Sequence, residues 1–276
     1  MTLDFELINS DSKNRRAVLL FHGMTGSPYE LKKYGQYLHS LGYDVFANCL
    51  PGHGDNVQEI YTVKYTDWLD FAFVKFTQLK SKYDEVYVSG LCLGAVLAVA
   101  VAQRFKSDVS GVIALSTTLY LDGWRLPWYK ILMPIGLTTL IRFYYTYPEC
   151  DPHGIKNLRT RNIVKKLLQK GDVGMNDFPM TCIYELLKLS RFVRDKKLMR
   201  EVVSPILFIH SKEDDLTSPK SSKVVYDNIS SVDKELIILN DSYHMVLYDN
   251  EKDFVFEKVG NFLNSHSQIV EECVVC

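Results

Sequence analysis

The sequence predicts an α/β fold: a mostly parallel central sheet flanked by helices, with an inserted helical lid. Three observations predict it. Short apolar runs such as Ala17-Val18-Leu19-Leu20-Phe21 lack the polar alternation of a strand with one wet face, so they read as strands covered on both sides. These runs alternate with segments whose apolar residues recur every three or four positions, the pattern of parallel strands joined by right-handed helical crossovers. The alternation stops from Thr117 to about Glu201, where aromatic and apolar residues mingle with Lys and Arg, and then resumes. The expected division is a core of residues 1–116 and 202–276 with a lid of residues 117–201.

The elements follow in order. Ala17–Phe21 ends at His22-Gly23, and a turn rich in Gly26, Ser27 and Pro28 comes next. From Pro28 to about Leu41, Leu31, Tyr34, Tyr37 and Leu38 share one helical face, with proline in the first turn where its missing N–H costs nothing. Tyr43–Cys49 reads as a strand, Pro51-Gly52-His53-Gly54 as a loop, and Thr66 as the cap of a helix from Asp67 to about Tyr83. A strand at Glu85–Ser89 leads through the turn Gly90–Gly94 into a small-residue helix beginning near Leu93, and Val109–Ser116 is the next strand. Within the insertion, Lys156–Lys170 and Thr181–Lys197 read as helices. Beyond it lie strands at Ile206–His210 and Leu236–Leu239 and a last helix from Glu251 to about Leu263.

A chain of 276 residues fits one catalytic domain with an insertion. A formal net charge of −1 with 24% charged residues supplies no field to attract nucleic acid or an anionic membrane surface. Asp4 and Glu6 stand where a signal peptide would be basic and then apolar, and the most apolar stretch, Trp128 to Leu140, is broken by Lys130 and Pro134. Cys49, Cys92, Cys150, Cys182, Cys273 and Cys276 lack the paired spacings of a zinc site, and scattered thiols suit a reducing compartment. The expectations are a soluble, cytoplasmic protein with no nucleic-acid partner, no stable membrane insertion, and no metal or organic cofactor. The tail Cys273-Val274-Val275-Cys276 formally fits a prenylation signature, but Glu271-Glu272 stand where a basic patch would be, so it is expected to be an unmodified end.

The sharpest chemical signal is Gly90-Leu91-Cys92-Leu93-Gly94 between a strand and a helix, the setting of the nucleophile elbow G-x-S-x-G with Cys in the serine position. So tight a turn forces a strained backbone on the nucleophile and needs flanking glycines where helix and strand approach. The helix N-terminus beneath the sulfur favours thiolate. At the end of the first apolar strand, Phe21-His22-Gly23-Met24-Thr25-Gly26 can offer the Met24 backbone N–H, joining that of Leu93, to a developing oxyanion. A late strand runs into Lys212-Glu213-Asp214-Asp215, and Asp241-Ser242-Tyr243-His244 follows the last strand. His244 is the expected base for Cys92, and Asp214 or its neighbour Asp215 would orient it.

These strings resemble the bacterial carboxylesterases and monoacylglycerol-lipase-like hydrolases of the α/β-hydrolase superfamily. The resemblance rests on Leu19 to Gly26, the PGHG loop Pro51 to Gly54, Asp67-Trp68, the elbow Gly90 to Gly94, Asp214 to Pro219 in a D-x-x-x-x-P pattern, and Asp241 to His244 as D-S-x-H. It implies the α/β-hydrolase fold, a triad in the chain order nucleophile, acid, histidine, and Asp214 as the acid. Cysteine for serine departs from the esterases and is similar to dienelactone hydrolases, polyhydroxyalkanoate synthases and acyl shuttles on the same fold. The implied substrate is a small acyl ester or thioester, with an acyl group on a carrier protein as the alternative. A thioester on Cys92 reacts well with water, amines or thiols, which leaves hydrolysis and acyl transfer both open. A third expectation, of another class, is a ligand-binding protein without turnover. Tyr120, Trp124, Trp128, Leu132, Phe143, Tyr144 and Tyr145 are the expected aromatic and apolar lining of the lid.

Overall fold

The computed structural model describes residues 4–9, 15–54, 57–128, 130, 133–170 and 177–267. Among them a seven-stranded sheet forms the centre, built from β1 (Phe5–Leu7), β2 (Arg16–Phe21), β3 (Asp44–Ala47), β4 (Glu85–Leu91), β5 (Gly111–Leu115), β8 (Ile206–Ser211) and β9 (Lys234–Leu239). Their order across the sheet is β1, β3, β2, β4, β5, β8, β9. All neighbours pair in parallel except β1, which runs antiparallel to β3 with Phe5 opposite Ala47.

Each central strand sends alternate residues to opposite faces. Leu19, Phe21, Val86 and Val88 pack with Trp68, Phe76, Val96 and Val99 on one face. Val18, Leu20, Tyr87 and Leu207 pack with Leu31, Tyr34, Leu38, Val255 and Val259 on the other. Helices α2 (Tyr65–Lys80) and α3 (Leu93–Phe105) cover the first face, and α1 (Lys32–Ser40) and α9 (Lys252–His266) the second. Helix α3 is buried continuously from Leu93 to Gln103, which is why its sequence is apolar all round.

Local starts differ from the sequence reading in two places. Pro28 opens a 3₁₀ turn, Pro28–Leu31, before α1 begins at Lys32. Thr66 does not cap α2: the Asp67 side chain accepts the Lys64 N–H at 2.8 Å, and Glu185 accepts the Tyr65 N–H at 3.0 Å, so the helix starts at Tyr65. The second of these caps comes from 120 residues away and leaves no local trace.

Between β5 and β8 the chain forms α4 (Met133–Thr138), a two-stranded antiparallel ribbon of β6 (Thr146–Pro148) and β7 (Asp177–Pro179), and helices α5 (Leu158–Lys170), α6 (Met180–Val193) and α7 (Lys196–Arg200). Helix α6 also packs on the core, where Gln103 donates to the Val193 carbonyl at 2.7 Å and Ser190 to that of Leu119 at 2.6 Å. Helix α8 (Lys220–Asn228) joins β8 to β9. Among the described residues no helix is long and apolar enough to cross a membrane. The Cys273–Cys276 tail lies outside the described residues.

Candidate active site

The carboxyl ends of β2, β4, β8 and β9 open on one edge of the sheet, where ligands of parallel α/β sheets bind. Cys92 follows β4 and caps α3 at φ 59° and ψ −115°, in a region that costs a residue with a Cβ on the order of 1–3 kcal/mol. The flanking glycines make the turn possible. A Cβ on Gly90 would lie 2.2 Å from the Gly94 carbonyl carbon, and one on Gly94 would lie 1.9 Å from the Phe21 carbonyl oxygen. The Cys92 N–H donates to the Leu115 carbonyl at 3.0 Å, tying the turn to β5. The Thr118 hydroxyl lies 3.3 Å from the Cys92 sulfur and 3.0 Å from the Ser116 carbonyl, and its one proton serves either at a time.

His244 follows β9 in a loop pinned on several sides. Ser116 donates to its carbonyl at 2.7 Å, the Tyr243 N–H donates to Asp249 at 2.7 Å, and the Met245 N–H donates to the Gly154 carbonyl at 2.8 Å. Asp249 also accepts the N–H groups of Lys156 and Asn157, so one carboxylate holds the histidine loop and the start of α5 together. The imidazole is buried, with Nδ1 2.7 Å from Asp214 Oδ2 and Nε2 without a hydrogen-bond partner among the described residues. Burial alone lowers the His244 pKa, but the charge of Asp214, then Cys92, outweighs it and holds the ring well above the ordinary imidazole value.

Asp214, after β8, spends Oδ1 on the N–H groups of Leu216 and Thr217, both at 2.9 Å, and Oδ2 on His244. Burial works against its ionisation. His244 and His210 override that and keep the carboxyl well below the usual carboxylate range. His210 Nε2 sits 3.4 Å from Asp214 Oδ2 while donating to the Thr217 carbonyl at 3.0 Å, and its Nδ1 is 2.8 Å from the Ser222 hydroxyl. Asp215 lies 3.7 Å from Arg125, and one of its oxygens, Oδ1, is buried without a hydrogen-bond partner among the described residues.

The loop after β2 runs close to the cysteine, for a Cβ on Gly23 would be 3.5 Å from that of Cys92. The Gly23 N–H donates to Glu30 at 2.5 Å, so the next N–H along the loop is that of Met24. The Leu93 N–H is the first of α3 and has no intrahelical acceptor. His22 buttresses this loop from behind: Nδ1 donates to the Gly23 carbonyl at 2.8 Å and Nε2 accepts the Leu50 N–H at 3.0 Å. Burial first, then His53, lowers its pKa to about 3, so His22 is a neutral strut. His53, lowered by burial to about 4, stands edge-on to His22 with ring centroids 5.0 Å apart, and Trp68 donates to the Pro51 carbonyl at 3.0 Å. The PGHG and Asp-Trp strings thus hold the back of the loop.

Two chambers open at this edge of the sheet, and Cys92 lines one of them. One, of about 160 Å³, is bounded by Cys92, His244, Glu30, Glu149, Arg125 and Asp215 among others. The other, of about 330 Å³, is almost wholly apolar, with Leu121, Met133, Tyr145, Met180 and Ile183 on its walls; Met24, Phe178 and Leu216 border both. Of the lid aromatics read from the sequence, only Tyr145 lines the apolar chamber. Trp128 and Tyr144 are 83% and 88% exposed, Phe143 faces solvent, Trp124 hydrogen-bonds the Glu213 carbonyl at 2.9 Å at the surface, and Tyr120 stacks under Arg194. Aromatic residues on a short, polar-spaced segment do not reveal which face turns inward; Leu132 lies outside the described residues. Among the described residues no group of three or more His, Cys, Asp or Glu is arranged to hold a metal ion. Thr118, His210 and Glu30 carry no motif and were not found by sequence.

The family model described as serine aminopeptidase, S33, matches residues 12–253. The thermostable monoacylglycerol lipase of Bacillus sp. (strain H-257) is 24% identical over 251 residues, covering 91% of each chain. The caffeoylshikimate esterase of Arabidopsis thaliana is 35% identical over 248 residues, 86% of this chain and 73% of that one. Among solved structures, one of the metagenome-derived lipolytic enzymes LipS and LipT has a TM-score of 0.76 at 25% identity, covering 92% of this chain and 95% of the other. The monoacylglycerol lipase of Paleococcus ferrophilus has a TM-score of 0.77 at 16% identity, covering 97% and 100%.

Proposed function

Because the chain belongs to the serine aminopeptidase S33 family of α/β-hydrolases, whose relatives here are lipases and esterases, we propose that it is an acyl hydrolase working through a thioester on Cys92. The observation that carries the reading is the buried His244, fixed through Nδ1 on Asp214 at 2.7 Å with Nε2 unpartnered beside Cys92.

The steps follow from that geometry. His244 takes the thiol proton, and the sulfur attacks the acyl carbon. The oxyanion is held by the N–H groups of Met24 and Leu93, each contributing about 3 kcal/mol by analogy with measured oxyanion donors. The carbon–oxygen or carbon–sulfur bond to the leaving group breaks as His244 returns the proton to it. A water then gives its proton to His244 and attacks the thioester, the C–S bond breaks, and the thiolate regains its proton as the acid departs. Asp214 keeps the imidazole in the tautomer whose Nε2 faces the reaction and stabilises the imidazolium. The apolar chamber suits an aliphatic acyl chain, and residues 117–201 act as the lid over it.

Acyl transfer is the second reading. It is favoured by cysteine itself, since a thioester reacts better with amines and thiols than an ester does, and by a chamber at Cys92 and His244 that is distinct from the larger apolar one and has Glu30 and Arg125 among its walls. A carrier-bound acyl group is a donor compatible with either.

The test is hydrolysis of a series of p-nitrophenyl esters and acyl thioesters. The wild type turns over, while Cys92→Ala loses roughly 10⁴-fold or more with the fold intact, and prior alkylation of Cys92 abolishes activity. A Cys92→Ala protein with undiminished turnover overturns the reading.

A further inference from the structure

The cysteine and the histidine are both held from one short segment, the end of β5. The Leu115 carbonyl accepts the Cys92 N–H at 3.0 Å, and the next residue, Ser116, donates its hydroxyl to the His244 carbonyl at 2.7 Å. Ser116 does this at φ 47°, the left-handed region that disfavours a residue with a Cβ. Its N–H is fixed on the Ile209 carbonyl at 2.9 Å, so three bonds hold the strained turn in place. Strain of this kind persists only where the surroundings over-determine it, and it collects at working sites. The residues beyond are pinned as well: the Ser221 hydroxyl accepts the Leu119 and Tyr120 N–H groups at 3.2 Å, and Ser190 donates to the Leu119 carbonyl at 2.6 Å. What the turn delivers is Thr118, 1% exposed, whose hydroxyl lies 3.3 Å from the sulfur of Cys92, itself 6% exposed.

We propose that Thr118 is a catalytic donor to the sulfur: its hydroxyl donates to Sγ while Cys92 is a thiolate and turns to the Ser116 carbonyl, 3.0 Å away, when the sulfur carries an acyl group. The inference rests on Cys92 as the nucleophile. A buried thiolate needs donors of its own. His244 is the cation on one side, with Asp214 behind it. Glu30, Glu149, His153, Asp215 and Arg125 line the same chamber, and Cys182 faces the sulfur's charge from α6. Acids so placed disfavour a second negative charge, which a neutral O–H on the sulfur offsets without adding to them. In the reactive pair the thiol proton sits on His244 and the Thr118 proton points at sulfur. As the sulfur–carbon bond forms, the bond to the leaving group breaks and His244 protonates that group; the sulfur is then neutral, and the hydroxyl swings to the carbonyl. When water cleaves the thioester, the electron pair returns to sulfur and the same O–H meets it. Thr118 keeps its own proton throughout.

Alkylation by iodoacetamide reads the thiolate without any acyl donor. The rate is followed on the Cys92 peptide, because Cys150 is exposed and also a free thiol, and is taken across the pH range in which the protein stays folded. Thr118→Val keeps the shape of the side chain and removes the O–H. It is expected to react roughly ten-fold more slowly than the wild type on the acid limb of the profile, the scale of one charge-assisted hydrogen bond. On the plateau it should be equal or faster, since a thiolate relieved of its donor is the better nucleophile. Thr118→Ser is expected to keep the wild-type profile. Coincident profiles for Thr118→Val and wild type overturn the proposal. So does slowing by one factor at every pH, which loosened packing would give, or a Thr118→Ser protein that behaves like Thr118→Val. Should Thr118→Val not fold, Thr118→Ala carries the same expectation on both limbs. A wild type that never acylates would strike the thioester reading, while the alkylation profiles still decide the role of Thr118.

Discussion

His244 donates from Nδ1 to Oδ2 of Asp214 across 2.7 Å, and the same carboxylate oxygen lies 3.4 Å from Nε2 of His210. Asp214 is thus shared by two buried imidazoles, one facing Cys92 and one locked between Thr217 and Ser222. Its other oxygen is committed to two backbone N–H groups. The carboxylate cannot rotate without giving up several of these bonds, which fixes the plane and tautomer of His244 before any substrate arrives.

Asp214→Asn keeps the shape and the backbone hydrogen bonds but offers His244 an amide in place of a charge. The expected result is a loss of roughly 10³–10⁴ in kcat/KM with the melting transition still cooperative. An Asp215→Asn protein, whose side chain faces Arg125, should lose far less. Equal losses would assign the acid wrongly.

The approach of α3 to β2 leaves no room for a side chain on Gly94, where a Cβ would meet backbone oxygen at 1.9 Å. Gly94→Ala is therefore expected to destabilise the fold by ~3 kcal/mol or more, measured by chemical denaturation. A near-neutral change would mean that the elbow is looser than its geometry.

Ile183 is buried on α6 and borders the apolar chamber. Filling that space with Ile183→Trp should move the preferred acyl chain to a shorter length, with a drop of roughly ten-fold or more in kcat/KM for the longest chain accepted. Short acyl groups should be spared. A uniform loss across the series would place the acyl chain elsewhere.

Glu30 supplies a pH dependence whose sign is fixed by burial. The folded chain keeps that proton to about pH 7 while the unfolded chain releases it near the ordinary glutamate value of 4.5, so between these values the folded state binds more protons and stability falls as pH rises. At roughly 1.4 kcal/mol per unit, Glu30→Gln is expected to stabilise the protein by ~2–3 kcal/mol at pH 8 and by little at pH 4. Unfolding measured at both values checks it, and a stabilisation that is larger at pH 4 contradicts it.

Much of the core could be read from the sequence because its strands are covered on both faces and therefore continuous in apolar residues; β2, β4, β5 and β8 lie within two residues of their expected ends. The elbow was legible because glycines at 90 and 94 meet a steric demand that nothing else satisfies. What escaped was set by contacts distant in sequence. Strand β1 and the ribbon of β6 and β7 are three residues long per strand and carry too little pattern. The start of α2 depends on Glu185, and the inward face of residues 117–201 depends on the walls it packs against. Asp214 and Asp215 are adjacent in sequence and were separable there only by resemblance, while in space one meets His244 and the other Arg125. Glu30, read simply as a residue of the first helix, had no signal at all.

The central claim is a thioester on Cys92, and intact-protein mass after brief exposure to activated acyl esters and acyl thioesters tests it most directly. One acyl group should add to the wild type and none to Cys92→Ala, with buried Cys182, whose pKa burial and then Cys92 push well up, remaining unmodified. Acylation that persists in Cys92→Ala, or turnover by the wild type in which the sulfur never carries the acyl group under rapid quenching, would contradict it.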